Sequence, residues 1–286
     1  MSGSVNLNAP SYLPTLFGSN TPGTSLLATL FGFATPMPGT VNPIAALEKA
    51  KSGETRQVAL VAAEPQVKRD IKQFTAVLAA AKTPEELLAD PTALKVLLTA
   101  NGLGSQVANK ALATRALLGD PANPKALANQ LSDKRWLGVN KTYEFATKGL
   151  TILKDPKTIA AVTNGYAEVL WRTNLDQTTP GLSNALDFLQ RASKIVNVDQ
   201  VLGDPTFRAV ITTTLGVPKQ IAFQTLTAQE QSISTRIDLK KFQDPKFVSQ
   251  FTQRYLIAEQ QNAIQTSGAG APDFTTLAVL SAGLVV

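Results

Sequence analysis

The sequence predicts an all-α protein, a compact body of short helices with sharp starts. Three observations carry that prediction. Asp-Pro recurs at Asp90-Pro91, Asp120-Pro121, Asp155-Pro156, Asp204-Pro205 and Asp244-Pro245. An Asp carboxylate accepts hydrogen bonds from the free N–H groups of a first helical turn, and Pro next to it gives up an N–H that had no partner. Apolar residues recur at spacings of three and four, as at Val67, Ile71, Phe74, Val77 and Leu78. No stretch alternates apolar and polar residues over the length of a strand.

The chain begins with an arm, residues 1–42, rich in Ser, Thr and Pro, and its first charged side chain is Glu48. Over the uncharged residues 1–47, Pro10, Pro14, Pro22, Pro36, Pro38 and Pro43 lie too densely for a long helix. Small apolar clusters interrupt it, among them Leu26-Leu27 and Leu30-Phe31. The body, residues 43–265, starts at Asn42-Pro43 with a helical region that Ser52-Gly53 is expected to break. Pro65 opens a helix through Ala81, with Lys68, Arg69, Asp70 and Lys72 off its apolar stripe. Thr83-Pro84-Glu85-Glu86 is a capping box, Thr83 at the N-cap and Glu86 three residues on. The Asp90 helix stops at Asn101-Gly102, where Gly can take positive φ.

Further helices are expected from Ser105 to Leu118, after Asn123-Pro124, and from Ser132 or Asp133 through Trp136, Tyr143 and Phe145. Asp155-Pro156 opens one through about Arg172, with Val162 and Tyr166 facing inward. Thr178 or Thr179 is expected to cap another, running to Val196. Residues 266–286 form a Ser/Gly/Ala linker and an apolar tail.

Two stretches repeat. Residues 85–103 read EELLADPTALKVLLTANGL and residues 199–217 read DQVLGDPTFRAVITTTLGV, with seven of nineteen positions identical. DPKTIAAV at Asp155 and DPKFVSQF at Asp244 form a second pair. The separations are 114 and 89 residues, so the first copy carries 25 more, placed near Asp120–Gly149. The related segments are 85–170 and 199–259. Two copies are too few for a solenoid, so the body reads as a pseudo-symmetric helical pair.

VKRDIKQF, EELLADPTALKVLLTANGL, ALANQLSDKRWLGVNKTYEF and KDPKTIAAV together resemble an uncharacterised alphaproteobacterial family, domain of unknown function 1217, over roughly residues 55–260. The motifs are structural and silent on activity. The resemblance implies a flagellar association, because members of the family are found among flagellar genes.

Composition removes much catalytic equipment. Cys and His are both absent. Thiolate and imidazole nucleophiles, bases and zinc ligands go with them. The densest carboxylates, Glu85, Glu86 and Asp90, read as caps and first-turn charges. No Ca²⁺-loop spacing occurs. Gly102-Leu103-Gly104 follows a helix rather than a strand, so it is a helix stop and not a dinucleotide loop. Trp136 and Trp171 read as core, and Arg135-Trp136 and Trp171-Arg172 lack the aromatic ladder of a nucleic-acid platform. No catalytic residue, cofactor or metal is expected.

The net charge is +6 with Lys and Arg dispersed, which reads as a solvated surface. The apolar runs Ser25–Ala34 and Phe274–Val286 fall short of the roughly 18 residues of a spanning helix. No Sec signal is visible. An exposed apolar tail would aggregate, so both ends are expected to dock on protein. The expected interface is Leu26, Leu27, Leu30, Phe31, Phe274, Leu277, Val279 and Leu280.

The expected function is therefore a non-enzymatic structural or interaction protein. Its partners are other protein subunits, copies of itself or flagellar components, with no nucleic acid and no membrane span. The place is the flagellum, or outside the cell by a route without a Sec signal, or else the cytoplasm. The alternative is a basic helical module binding nucleic acid or another polyanion. Asp90 and Asp204 are expected to contribute equally, about 1 kcal/mol each as N-caps.

Overall fold

The computed structural model describes residues 41–266, and all regular structure among them is helical. α1 (Pro43–Ala63) and α2 (Pro65–Ala80) are joined at Glu64. Then come α3 (Pro84–Ala89), α4 (Pro91–Ala100) and, after a 3₁₀ turn at Gly104–Gln106, α5 (Lys110–Leu118). Residues 120–149, where the extra length was expected, hold α6 (Leu127–Gln130), α7 (Arg135–Tyr143) and α8 (Phe145–Lys148). The long α9 (Pro156–Leu175) follows. The second half runs through α10 (Leu182–Arg191), α11 (Val198–Gly203), α12 (Pro205–Thr214), α13 (Leu226–Ser234) and α14 (Pro245–Thr266).

The sequence repeat returns as a repeat of geometry. In the first copy α2 and α3 lie on α4, α5 lies on α3, and α9 packs across α4 and α2. In the second, α10 and α11 lie on α12, α13 lies on α11, and α14 packs across α12 and α10. The caps repeat as well. Thr83 Oγ1 accepts from Glu86 N at 3.3 Å, and Asn197 Oδ1 accepts from Gln200 N at 2.9 Å. Glu86 Oε2 reaches back to Lys82 N at 2.7 Å, and Gln200 Oε1 to Val196 N at 2.8 Å. These boxes close on the residue before the N-cap, one position earlier than the usual form.

Both DPT helices end alike. Gly102 and Gly216 take φ of 73° and 62°. Leu103 N reaches Leu98 O at 2.8 Å, and Val217 N reaches Thr212 O at 2.9 Å, the long bond of a Schellman stop.

Four of the five Asp-Pro pairs open helices. Asp90, Asp155, Asp204 and Asp244 each accept from first-turn N–H groups. The fifth does not. Asp120 Oδ1 accepts from Ala122 N at 2.8 Å and closes a turn, because a turn needs only two residues where a helix needs a run.

Other expectations need correction. α1 runs unbroken through Ser52-Gly53. Glycine costs a helix interior about 1 kcal/mol, less than the packing of α1 against α9, α10 and α14 supplies. The Ser105 helix starts at Lys110, behind the 3₁₀ turn, and the Ser132 helix starts at Arg135. Neither Thr178 nor Thr179 caps α10. Its N-cap is Gly181, at φ 79°, and Asp176 Oδ1 reaches over to accept from Ser183 N at 2.8 Å. α10 stops at Arg191, and a 3₁₀ turn at Ala192–Lys194 replaces its last stretch. The helical start read at Asn42-Pro43 is present: Asn42 caps α1 through Ile44 N at 2.9 Å and Ala45 N at 3.3 Å.

One apolar core runs through both copies. Phe74, Leu78, Leu87, Leu97 and Tyr166 are buried in the first, and Phe188, Val201, Ile211, Phe242 and Tyr255 in the second. Each such side chain contributes about 1.5–3 kcal/mol on leaving water. In the second copy Phe188, Phe242 and Phe251 pack with ring centroids 5.3–5.9 Å apart.

Candidate functional site

Three arrangements stand out. The first is an ionic seam between the copies. Arg172, at the end of α9, is buried among Glu168 of its own helix, Glu54 of α1 at 3.7 Å and Asp187 of α10 at 3.5 Å. Arg191 binds Asp187 through Nε at 2.9 Å and Asp204 at 2.6 Å, and lies 4.4 Å from the Phe207 ring centroid. Asp204 therefore serves two ends, capping α12 and pairing Arg191. Burial pushes the Glu54 carboxyl up, Arg172 pulls it down, and Glu168 pushes it up again. The seam ties α1, α9, α10 and α12 together, and its charges are spent on one another.

The second is a polar centre in the first copy. Asp70 accepts from Gln66 Nε2 at 2.8 Å, Lys95 Nζ at 2.8 Å and Tyr166 Oη at 2.6 Å. Its exposure is 6%, so it does not face solvent with Lys68 and Arg69 as its spacing suggested. Burial pushes the Asp70 carboxyl up, but the three donors together hold it below the ordinary carboxylate range. Burial also raises the Tyr166 hydroxyl.

The third is an apolar groove of about 740 Å³ between α1 and the end of α9. Ala46, Ala50 and Gly53 form one wall, with Trp171, Leu175 and Leu182 opposite. Val41 stands at its edge, where residues 1–40 join the body, and its carbonyl accepts from Gln260 Nε2 at 3.0 Å. Gly53, expected to break a helix, instead leaves α1 without a side chain facing that space.

The expected interface residues Leu26, Leu27, Leu30, Phe31, Phe274, Leu277, Val279 and Leu280 lie outside the described residues. Trp136 and Trp171 are buried, and both Trp-flanking arginines are occupied: Arg135 by Asp133 at 2.7 Å and the Gly102 carbonyl, Arg172 in the seam. Glu86 and Asp90 act as caps. Among the described residues no group of three or more carboxylates is arranged to hold a metal ion, and no helix is long and apolar enough to cross a membrane. Sequence reasoning missed Asp70, Asp176 and the seam. The repeat offered one signal, since Tyr166 and Tyr255 share the 89-residue offset.

These features define an all-α protein of two related helical units clasped by α1. The chain belongs to the family described as "Protein of unknown function (DUF1217)", whose model matches residues 100–248. The fold is similar to a crystal structure of protein AGR_C_984 from Agrobacterium tumefaciens. Identity there is 22%, covering 78% of this chain and 96% of that one, with a TM-score of 0.65. No curated protein matches the chain.

Proposed function

We propose that the protein is a non-enzymatic interaction protein that joins other protein subunits through its uncharged ends. The observation that carries this reading is the apolar groove with Val41 at its edge. The occupant is the apolar cluster Leu26-Leu27 and Leu30-Phe31 from a neighbouring copy. Nine residues lie between Phe31 and Val41, a reach of up to about 33 Å over ten extended steps. That length lets the cluster leave its own body and enter the groove of the next. The segment carries no charge, so Lys49 and Arg56 at the rim neither repel it nor demand a counter-ion.

The buried carboxylates support a non-catalytic body, since Asp70 and Asp204 are both engaged in caps or ion pairs. The polyanion alternative is less favoured, because Arg135, Arg172 and Arg191 pair within the body and the other Lys and Arg are dispersed along the chain. The flagellum is the setting the family resemblance suggests, and fractionation of cells into filament, basal body and cytoplasm tests it.

Sedimentation of the full chain and of Leu27→Asp/Leu30→Asp tests the assembly. The full chain is expected to associate and the double variant to sediment as a monomer with the same helical content. A full chain that stays monomeric at every concentration overturns the reading.

A further inference from the structure

The two copies differ at one place that the repeat makes visible. The 114-residue offset carries Gln66, Asp70 and Lys95 onto Pro180, Asn184 and Ala209, and the 89-residue offset carries Tyr166 onto Tyr255. In the first copy these four residues form a polar centre around the buried Asp70, with the half-exposed Lys95 placing Nζ 2.8 Å from Asp70 and 5.8 Å from the Tyr166 ring centroid. In the second copy all four counterparts line an open cavity of about 930 Å³. Ala209 stands at the position that corresponds to Lys95.

The carboxylates have moved rather than vanished. Asn184 replaces Asp70 and donates to Tyr255 Oη at 3.3 Å. Asp176 and Glu259 line the same cavity. Asp176 is bonded to Ser183 N, and Glu259 accepts from Thr213 Oγ1 at 3.0 Å. Among the described residues no Lys or Arg pairs with either. Two basic side chains line the cavity, Lys219 and Arg208, and Arg208 donates instead to the Leu202 carbonyl. Burial, with Glu259 adding to it, pushes the Asp176 carboxyl up to about 6. Ala209, Val217, Pro218 and Ile221 supply an apolar lining suited to a methylene chain.

We propose that this cavity binds a primary alkylammonium group, which takes beside Tyr255, Asp176 and Glu259 the place that Lys95 takes beside Tyr166 and Asp70. The ammonium offers three donors and one charge to two carboxylates, and its chain lies along the apolar wall. The group belongs either to a free alkylamine or to a lysine side chain of a partner. This inference does not rest on the assembly reading, since the cavity lies in the second copy and the assay needs no association.

Calorimetric titration of the full chain with n-pentylamine, 1-pentanol and N-acetyl-lysine methylamide tests it at neutral pH. Saturable binding is expected for the amine and not for the alcohol. Tighter binding of the lysine amide than of pentylamine assigns the site to a partner's lysine, and the reverse assigns it to a free amine. Asp176→Asn and Glu259→Gln should each weaken the amine by about tenfold, the loss of one charged contact. Ala209→Lys should abolish binding while raising the melting temperature, because the lysine is then supplied within the chain. Equal affinity for amine and alcohol, no binding of either, or unchanged affinity in both carboxylate variants overturns the proposal.

Discussion

The Tyr166 hydroxyl donates to the Asp70 carboxylate at 2.6 Å, across 96 residues of chain. Its counterpart Tyr255 faces an amide instead, Asn184 at 3.3 Å. Both rings are buried, so the two hydroxyls differ chiefly in the charge of the group they meet. Hydrogen bonds to charged groups contribute about 1.5–3 kcal/mol, and neutral ones about 0.5–1.5. Tyr166→Phe should therefore cost about 2 kcal/mol and Tyr255→Phe about 1 or less. Urea unfolding of the two variants measures the difference, and equal costs would show that the charge of Asp70 adds nothing.

The two DPT caps are not equal, contrary to the sequence expectation. Asp90 accepts from Ala93 N at 2.7 Å and from Gln73 at 3.2 Å. Asp204 is buried and also pairs Arg191. Asp90→Ala should cost about 1 kcal/mol, the loss of a cap. Asp204→Ala should cost about 3 or more, because it also breaks a partly buried ion pair. Thermal unfolding of both variants decides the order.

Asp176 sets a pH dependence. Its folded pKa, pushed up to about 6 chiefly by burial, lies above its unfolded value of 3.8. Between those values the unfolded chain has lost the proton that the folded chain keeps. Stability from this group is therefore full at low pH and is lost as pH rises through about 6, with a total cost of about 3 kcal/mol. Asp176→Asn keeps an oxygen acceptor for Ser183 N without the charge. It should raise stability at neutral pH and flatten the curve between those limits, as denaturation across a pH series would read.

Gly181 and Gly216 both have positive φ, but their surroundings differ. A Cβ at Gly216 meets nothing within 4 Å, whereas one at Gly181 would stand 2.8 Å from the Tyr255 hydroxyl. Gly216→Ala should cost about 1–2 kcal/mol for the left-handed backbone alone. Gly181→Ala should cost more, since Tyr255 must move. Melting temperatures of the pair provide the check.

Local chemistry was legible in the sequence, and long-range chemistry was not. Thr83, Asp90, Asp155 and Asp204 cap within three residues of themselves, so their capping roles could be read directly. Asp70 could not be read, because Lys95 and Tyr166 lie 25 and 96 residues away. Its place beside Lys68 and Arg69 suggested solvent. Gly53 misled for the same reason: the helix survives on packing to α9 and α14, which no window of sequence contains. Asp176 caps α10 from outside the usual N-cap position, so spacing rules pointed to Thr178 and Thr179. The groove took its outline from residues on α1, α9 and α10, and only the fold brings them together.

α1 lies against α9, α10 and α14, and the hydrogen bond from Gln260 to the Val41 carbonyl spans 219 residues. Among the described helices, the first to leave the ribosome thus waits for the last before its surface is fully covered. Each copy can assemble its own helices as they emerge, but the clasp closes only after synthesis has passed residue 260. Until then the part of α1 that α14 covers stays open to whatever meets the nascent chain.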